Sequence, residues 1–315
     1  MSNRIIGVLV CCYILSCSTA RAQLGAAVDH LGSDFLNPQI SVGFSAAPDR
    51  KFQDIDGTLS LNSATLTATL PVYRIRDGAP EHATSYFLLA RGQFTSQIED
   101  ISFLPASHTF YASRLGITAG IATTRHHLYL LTFGGGFAED RRTIGNPRVR
   151  ATGSLLGKYQ MDDSFAFIYG LSYSYTFNRG LVLPLFGIHS SLGDNLKLHI
   201  VLPFSLDVEY EEATELHFGF LIRANGDQIH IEESGYFGPQ SLPLFLKLSQ
   251  VQAGFSVSIR ISNGVWLQGE AGILRNRKFA IGTLDANLVS SGIQNSGYST
   301  FTLRYDLANF ESWED

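Results

Sequence analysis

The sequence predicts an all-β protein, an antiparallel transmembrane up-and-down β-barrel of about 12–14 strands, from three observations. Apolar and polar residues alternate along many segments, which is typical of strands with two different faces. The longest of these segments, Leu196 to Tyr210, exceeds the ~5–6 residues of an average strand and could cross a bilayer when tilted. Beyond residue 22 no apolar run reaches the roughly eighteen residues of a membrane helix. Strands are therefore the expected membrane-spanning elements.

The segment from Leu196 to Tyr210 gives the clearest strand signal, and we interpret it as one continuous strand. Polar residues occupy most of its odd positions, with Val201 and Pro203 as the exceptions. Since successive side chains of a strand point to opposite faces, the even face is expected to contact lipid and the odd face the barrel interior. The even face consists of Leu196, Leu198, Ile200, Leu202, Phe204, Leu206, Val208 and Tyr210.

Residues 1–22 have the features of a secretory signal peptide. They contain Arg4, an apolar run too short to span a membrane, and small residues at Ala20 and Ala22 that fit a cleavage site. An alternative is lipoprotein processing, with lipid attached to Cys17. All three cysteines lie in this segment, so the sequence excludes a disulfide framework from the remaining chain.

The mature chain is predicted to begin at Gln23. Residues 23–37 show no strong period and are expected to form an N-terminal lead or plug, whereas residues 38–310 are expected to form the barrel. Without the two arginines of the signal peptide, 21 basic residues stand against 28 acidic ones, a formal charge of −7. This mildly acidic balance argues against nucleic acid as a partner.

Turn signals set the expected strand number. Short connections are predicted near residues 123–126, 161–163, 192–195, 225–226 and 262–264. Asn225-Gly226 is a strong hairpin signal. If it reverses the chain, the count closes at about 14, and if it is a bulge within one strand, about 12 is expected. Three prolines fall inside apparent strands and fit this interpretation only at bulges or strand ends; they are Pro71, Pro184 and Pro203.

Aromatic residues, interrupted only by Leu171, occupy alternate positions from Phe165 to Phe177, opposite small residues such as Gly170 and Ser172. Rings gathered toward both ends of a strand are typical of the interfacial girdles of membrane barrels. The alternative is a strand in the core of a large soluble protein.

The segment from Leu183 to Arg223 resembles a family of uncharacterised outer-membrane β-barrel proteins of Gram-negative bacteria, a domain of unknown function. The resemblance rests on Leu-Pro-Leu-Phe-Gly-Ile from residue 183, Asn-Leu-Lys-Leu from residue 195 and Leu202-Pro203. It is clearest over residues 183–307. It implies the location and the fold, and it supplies no catalytic residues.

Three groups of residues resemble catalytic or binding motifs in their spacing. His189 and Ser191 are spaced as in an outer-membrane phospholipase, but they fall on the inward face, and no nearby Asn completes the set. The pair at residues 126–127 stands beside a turn, where solvated histidines are common, and lacks a partner at metal-ligand spacing. The Gly run at 134–136 lies within a strand and is expected to bend the wall. No catalytic, cofactor or metal site is predicted.

The odd-face residues of the long segment and their counterparts in later strands predict a lumen lined by both signs of charge. Such a set can line a narrow aqueous pore, or pair off and close the interior, and the pattern does not separate these readings. The predicted lumen-facing residues are Lys197, His199, Asp207, Glu209, Arg223, Arg260, Glu270, Arg304 and Asp306.

The predicted function is that of a passive barrel of the cell outer membrane, either a porin-like small-solute channel or a structural wall protein, and not an enzyme. Outer-membrane lipid and, during insertion, the barrel-assembly machinery are the expected partners; the solute is not specified. A lipid-modifying enzyme is one alternative, but its nucleophile and base are not found on the lipid face. A secreted soluble β protein that binds a ligand is the other.

Overall fold

The computed structural model describes residues 38–78, 84–102, 108–123, 126–176, 179–203, 205–231, 243–283 and 286–307. The predicted signal peptide, the lipoprotein alternative and the N-terminal lead lie outside the described residues, as do residues 308–310 of the predicted barrel. Within the described part, no helix is long and apolar enough to span a membrane.

The described residues form fifteen strands, and each wall contact between sequence neighbours is antiparallel. The strands are β1 (Gln39–Lys51), β2 (Thr58–Asp77), β3 (Thr84–Ile101), β4 (His108–Thr123), β5 (His127–Asp140), β6 (Arg150–Asp162), β7 (Phe165–Thr176), β8 (Arg179–Leu192), β9 (Leu196–Leu202), β10 (Ser205–Ala213), β11 (Leu216–Ile231), β12 (Leu244–Ser262), β13 (Val265–Gly282), β14 (Asn287–Ile293) and β15 (Ser296–Asp306).

The wall closes because β15 pairs with both β1 and β13, while β13 also pairs with β12. β14 pairs with the last part of β13 and β15 with its first part, so these two form one interrupted wall strand. The protein is therefore a closed antiparallel β-barrel of fourteen wall strands.

Large apolar side chains cover the outside of the barrel. Phe255 and Leu115 are 71% and 69% exposed, which a soluble protein could not sustain around its whole circumference. A closed barrel satisfies its backbone hydrogen bonds between strands, and an outward apolar belt fits hydrocarbon. The protein resides in an outer membrane. The belt includes Ile40, Phe44, Leu66, Leu70, Phe94, Leu115, Ile117, Leu131, Phe133, Leu155, Leu171, Phe186, Phe218, Phe255, Ile259, Phe301 and Leu303.

The two ends of the barrel differ in their connections. At the terminal end, where β1 begins and β15 ends, strands are joined by short turns at 163–164, 193–195, 214–215 and 263–264. At the opposite loop end, residues 141–149 separate β5 from β6. Periplasmic turns are short in bacterial barrels, which indicates that the terminal end faces the periplasm.

The prediction of one continuous strand from Leu196 to Tyr210 is wrong. The chain reverses at Pro203, so that Val201 pairs with Ser205 and Leu196 with Tyr210. The peptide bond before Pro203 is cis, and proline has no N–H to donate to a ladder. Each pair joins residues of equal parity, and directly paired side chains share a face. The even residues of both strands therefore still face outward.

Asn225-Gly226 forms neither the hairpin nor the bulge that the sequence left open as alternatives. Both residues lie inside β11, where they pair with Gln250 and Ser249 of β12. The ladder between β11 and β12 runs without a shift from Leu216 to Ile231, and this long pairing overrides the local turn preference. One strand is gained at Pro203 and one is lost here, so the wall still has fourteen strands.

The prolines occupy positions where a missing N–H is tolerated. Pro71 lies at a register shift between β2 and β3. Pro184 lies beyond Phe186, the first residue of β8 that pairs with β9. With Pro203 in a turn, all three fit a strand wall.

At the loop end, β5 and β11 meet across the barrel. β5 pairs with β6 only as far as Gly136, and β11 pairs with β10 only as far as Arg223, which leaves each strand with an edge on that side. Unpaired edges favour new pairing, and these two form a parallel bridge between Glu139 and His230. Above the shorter wall of β6–β10, the long strands thus close into a narrower upper barrel.

Candidate functional site: the barrel lumen

The inward side chains of β3 contribute to three different parts of the lumen, two apolar clusters and a polar cavity between them. The first two side chains belong to an apolar cluster, the middle ones line a polar cavity and the last belongs to a second apolar cluster. From the terminal end to the loop end these side chains are Phe87, Leu89, Arg91, Gln93, Thr95, Gln97, Glu99 and Ile101. The lumen is therefore layered along its axis.

The nine residues predicted to face the lumen all lie on the strand face opposite the apolar belt, in the part of the lumen nearer the terminal end. We call this region, on β9–β13 and β15, the vestibule. The nine are Lys197, His199, Asp207, Glu209, Arg223, Arg260, Glu270, Arg304 and Asp306.

Ion pairs connect neighbouring strands in the vestibule. The Arg223 guanidinium donates to Asp207 Oδ1 at 2.9 Å, and His217 Nδ1 lies 2.9 Å from Glu209 Oε1. Lys197 Nζ donates to the Glu211 carboxylate. The side chains of Lys197, Glu209 and Arg223 are 39–43% exposed although they point inward. Water therefore reaches the vestibule.

Trp266 is the centre of a second group on the other side of the vestibule. Its ring is buried, and the guanidinium carbons of Arg260 and Arg304 lie 5.8 and 5.4 Å from its centroid, within the range of cation–π attraction. The His217 ring is 4.9 Å away. Arg304 Nε also lies 3.0 Å from Asp306 Oδ1. This indole orders several vestibule cations at once.

A dry apolar cluster, which we call the apolar wall, fills the lumen beside β3, β5, β6, β8 and β9. Leu185 and Val201 are completely buried although they face into the barrel. The cluster consists of Phe87, Leu89, Leu130, Leu156, Leu183, Leu185 and Val201. The half of the lumen that it occupies is closed to water.

A second cluster, which we call the cap, lies inside the upper barrel at the loop end. Phe279 packs against Phe52 with ring centroids 5.0 Å apart. The members of the cap are at most 5% exposed. They are Phe52, Leu59, Ile101, Phe110, Ala138, Ile229, Ile231, Leu244, Leu246, Leu248, Phe279, Ile281 and Ile293. The cap separates the lumen from the loop end.

Glu99 lies between the cap and the cavity, at a level where the outward residues Asn62 and Asp100 are polar and exposed. This level is thus beyond the apolar belt. Burial raises the pKa of the Glu99 carboxyl, and the nearby Asp227 charge raises it further. Gln97 Nε2 donates to the Glu99 carboxyl.

Three inward arginines were missed by the sequence analysis. Arg91, Arg114 and Arg150 line a small cavity on β3, β4 and β6, and Arg114 Nη2 lies 3.6 Å from Asp227 Oδ1 across the lumen. The Gly run at 134–136 lies inside β5 beside them, and a Cβ at Gly136 would approach the Ser113 carbonyl oxygen to 2.1 Å. The alternation in β4 could have identified Arg114 as inward, since Arg114 is adjacent in sequence to the exposed, outward Leu115.

His189, His199 and His126 contact other rings or backbone groups of the barrel. The His189 and His199 rings lie 5.9 Å apart on the inward face, and His126 Nδ1 lies 2.9 Å from the Gln160 carbonyl oxygen. Among the described residues, Glu209, Glu211 and His217 offer three ligand atoms within 4.8 Å of one another. All three are already engaged, since Lys197 pairs with Glu211 and His217 contacts Glu209.

The comparisons with known proteins give similar architectures and no family. No protein-family model matches the sequence, and no curated protein is similar to it. An outer membrane channel from Pseudomonas putida F1 is 7% identical with a TM-score of 0.46, covering 85% of this chain and 96% of that one. The translocator domain of the autotransporter NalP from Neisseria meningitidis is 11% identical with a TM-score of 0.36, covering 98% and 100%. LpxR from Salmonella typhimurium is 8% identical with a TM-score of 0.37, covering 85% and 99%. Because these TM-scores lie below 0.5, no function is taken from them.

Proposed function

We propose that the protein is a passive small-solute channel of the outer membrane, closed at its loop end in the conformation described. The observation that carries this proposal is the contrast between the two ends of the lumen. Three inward charges of the vestibule, Lys197, Glu209 and Arg223, are about two-fifths exposed, whereas the cap above them is dry. A hydrated, charge-lined lumen under an apolar constriction fits a channel that is gated by exclusion of water.

One observation favours the alternative of a structural wall protein. Buried leucines of β3, β5, β6 and β8, which belong to the apolar wall, fill one side of the lumen, as expected of a barrel that does not conduct. A lipid-modifying enzyme has less support, since His189 and Ser191 point inward. We also propose that the chain is exported by the predicted signal peptide in a Gram-negative bacterium, is inserted by the barrel-assembly machinery, and belongs to the uncharacterised family named above. No catalytic role and no nucleic-acid partner are proposed.

Opening the cap is the direct test. We expect the wild type to be silent in a planar lipid bilayer, and the double variant Phe110→Ser/Phe279→Ser to give steady ohmic steps, because both rings fill the cap from opposite strands. Phe301→Ser, on the lipid face, is the matched control and should remain silent. Heat-modifiable gel migration verifies that each variant is folded. A folded, inserted cap variant without conductance would contradict the channel and favour the wall protein.

Neutralising vestibule acids in the cap-opened variant tests the role of the paired charges. With the pairs intact, the steps should show weak ion selectivity, because opposite charges leave little net field. Asp207→Asn/Glu209→Gln should shift the reversal potential toward anion preference, since Lys197, Arg223 and the two arginines beside Trp266 remain. Glu212→Gln/Glu215→Gln removes the same charge from exposed positions outside the lumen and should have little effect. An equal shift in both double variants would refute a vestibule lined by these acids.

A further inference from the structure

The polar cavity lies inside the upper barrel, directly beneath the cap. Its volume is about 260 Å³, and it is lined by β1–β5, β11–β13 and β15. It adjoins the vestibule, because Arg223 is the register partner of the cavity residue Gln252. We call it the central cavity. Solute entering from the terminal end would meet it before reaching the cap.

The lining of the central cavity is almost free of net charge. Its uncharged polar side chains are hydroxyls and amides, represented by Ser63, Thr95, Gln93, Asn225, Gln250 and Gln252, and cap members such as Phe110 and Leu248 supply much of the apolar remainder. Its charged pair, Arg114 and Asp227, compensates itself at 3.6 Å. The raised pKa of Glu99 also reduces the negative charge just above the cavity. A charged ligand would therefore leave water without gaining a counter-charge.

The hydrogen-bonding groups of the lining are suited to hydroxyl ligands. Gln250 Oε1 is buried and accepts no hydrogen bond within the described part of the chain. On the neighbouring strand β11, Asn225 Nδ2 donates to Gln252 Oε1 at 2.6 Å, and Gln252 in turn donates to Glu270. A buried acceptor without a donor is unfavourable, and a ligand hydroxyl can donate to Gln250 while accepting from a neighbouring amide.

Size and shape narrow the ligand further. At about 260 Å³, the cavity is somewhat smaller than the ~300–1,000 Å³ sites of drug-sized ligands, which fits a ligand of monosaccharide size. Tyr298 is buried on the inward face of β15 and adds ring surface to the lining, and its apolar face suits the C–H face of a sugar. We propose that the central cavity binds a neutral polyhydroxylated molecule of monosaccharide size. This deepens the proposed channel function by naming its solute class.

Binding of D-glucose to the full-length protein in detergent micelles, measured by saturation-transfer NMR, tests this proposal. D-glucose should bind, and gluconate and glucosamine, which carry a charge on a similar skeleton, should bind at least tenfold more weakly. Gln250→Leu should weaken glucose binding at least tenfold, since it removes the buried acceptor. Val251→Thr, the next residue on the outward face of β12, should leave binding unchanged and serves as the control.

Gln250→Glu keeps the shape of the side chain and adds a negative charge. The variant should therefore bind glucosamine more tightly than glucose. Failure of glucose to bind the wild type, equal binding by Gln250→Leu, or a preference for gluconate would each overturn the proposal. The measurement does not depend on conductance. Binding by a protein whose cap-opened variant is silent would refute the channel and leave the cavity assignment intact, whereas conductance without binding would do the reverse.

Discussion

Replacing Trp266 with alanine is expected to lower the free energy of unfolding by about 3–5 kcal/mol. The indole is buried at 8% exposure on the inward face of β13, so the substitution leaves a cavity that the rigid wall cannot fill. It also removes the ring surface on which the guanidinium groups of Arg260 and Arg304 lie. At partly hydrated sites, cation–π contacts contribute about 0.5–1 kcal/mol each. The cavity is therefore the larger part of the expected loss.

Urea unfolding in lipid vesicles measures this effect. The fold should be followed by circular dichroism and gel migration, because Trp266 is one of two tryptophans and its replacement changes the fluorescence signal itself. Trp266→Phe keeps an aromatic face and should recover more than half of the loss. A Trp266→Ala variant as stable as the wild type would show that the cations do not depend on the indole.

The segment from Leu196 to Tyr210 shows which part of a barrel can be predicted from its sequence. The hairpin pairs residues of equal parity, so alternate residues keep one face through the whole segment, with Leu202 and Tyr210 exposed and Val201 buried. Alternation could not identify the reversal at Pro203, since the pattern continues unbroken through the turn. Faces are a local property of successive residues, whereas strand ends depend on which neighbour each residue pairs with.

Asn225-Gly226 illustrates the opposite case. The dipeptide has strong local turn chemistry, yet its backbone pairs with Gln250 and Ser249 inside a ladder that continues to Ile231. Tertiary pairing decided the outcome here. The fourteen wall strands lie within the expected range of about 12–14, although the argument for fourteen depended on a reversal at the wrong residue.

The cap was missed because the apolar face changes sides along β12. From Val251 to Ile261 the apolar residues are odd and face lipid, whereas Leu244, Leu246 and Leu248 are even and face inward. A fixed assignment of the apolar face to lipid holds only within the bilayer. Above it, the interior is apolar and dry, and on β12 the outward Phe245, Lys247 and Ser249 are buried as well. A change of apolar parity within one strand is thus the sequence signal of the upper barrel, and Gln250 lies at the point of change.

Replacing Phe255 with arginine is expected to destabilise the barrel by about 2–4 kcal/mol, the cost of a cation near the bilayer midplane. Phe255 is 71% exposed and lies within the apolar belt, where its ring contacts Phe220 with centroids 5.1 Å apart. Leu202 is less suitable for this test, because it lies beside the turn at Pro203 rather than in mid-strand.

The matched control for Phe255→Arg is Gln268→Arg on the neighbouring strand. Gln268 alternates with the outward residues of β13 and faces the vestibule two residues before Glu270, where a cation meets water and a carboxylate. Its replacement should change the free energy of unfolding by less than about 1 kcal/mol. Both values come from urea titrations in vesicles of fixed composition. If the two arginines cost the same, the face of β12 at Phe255 does not contact hydrocarbon, and the position of the belt along this strand must be revised.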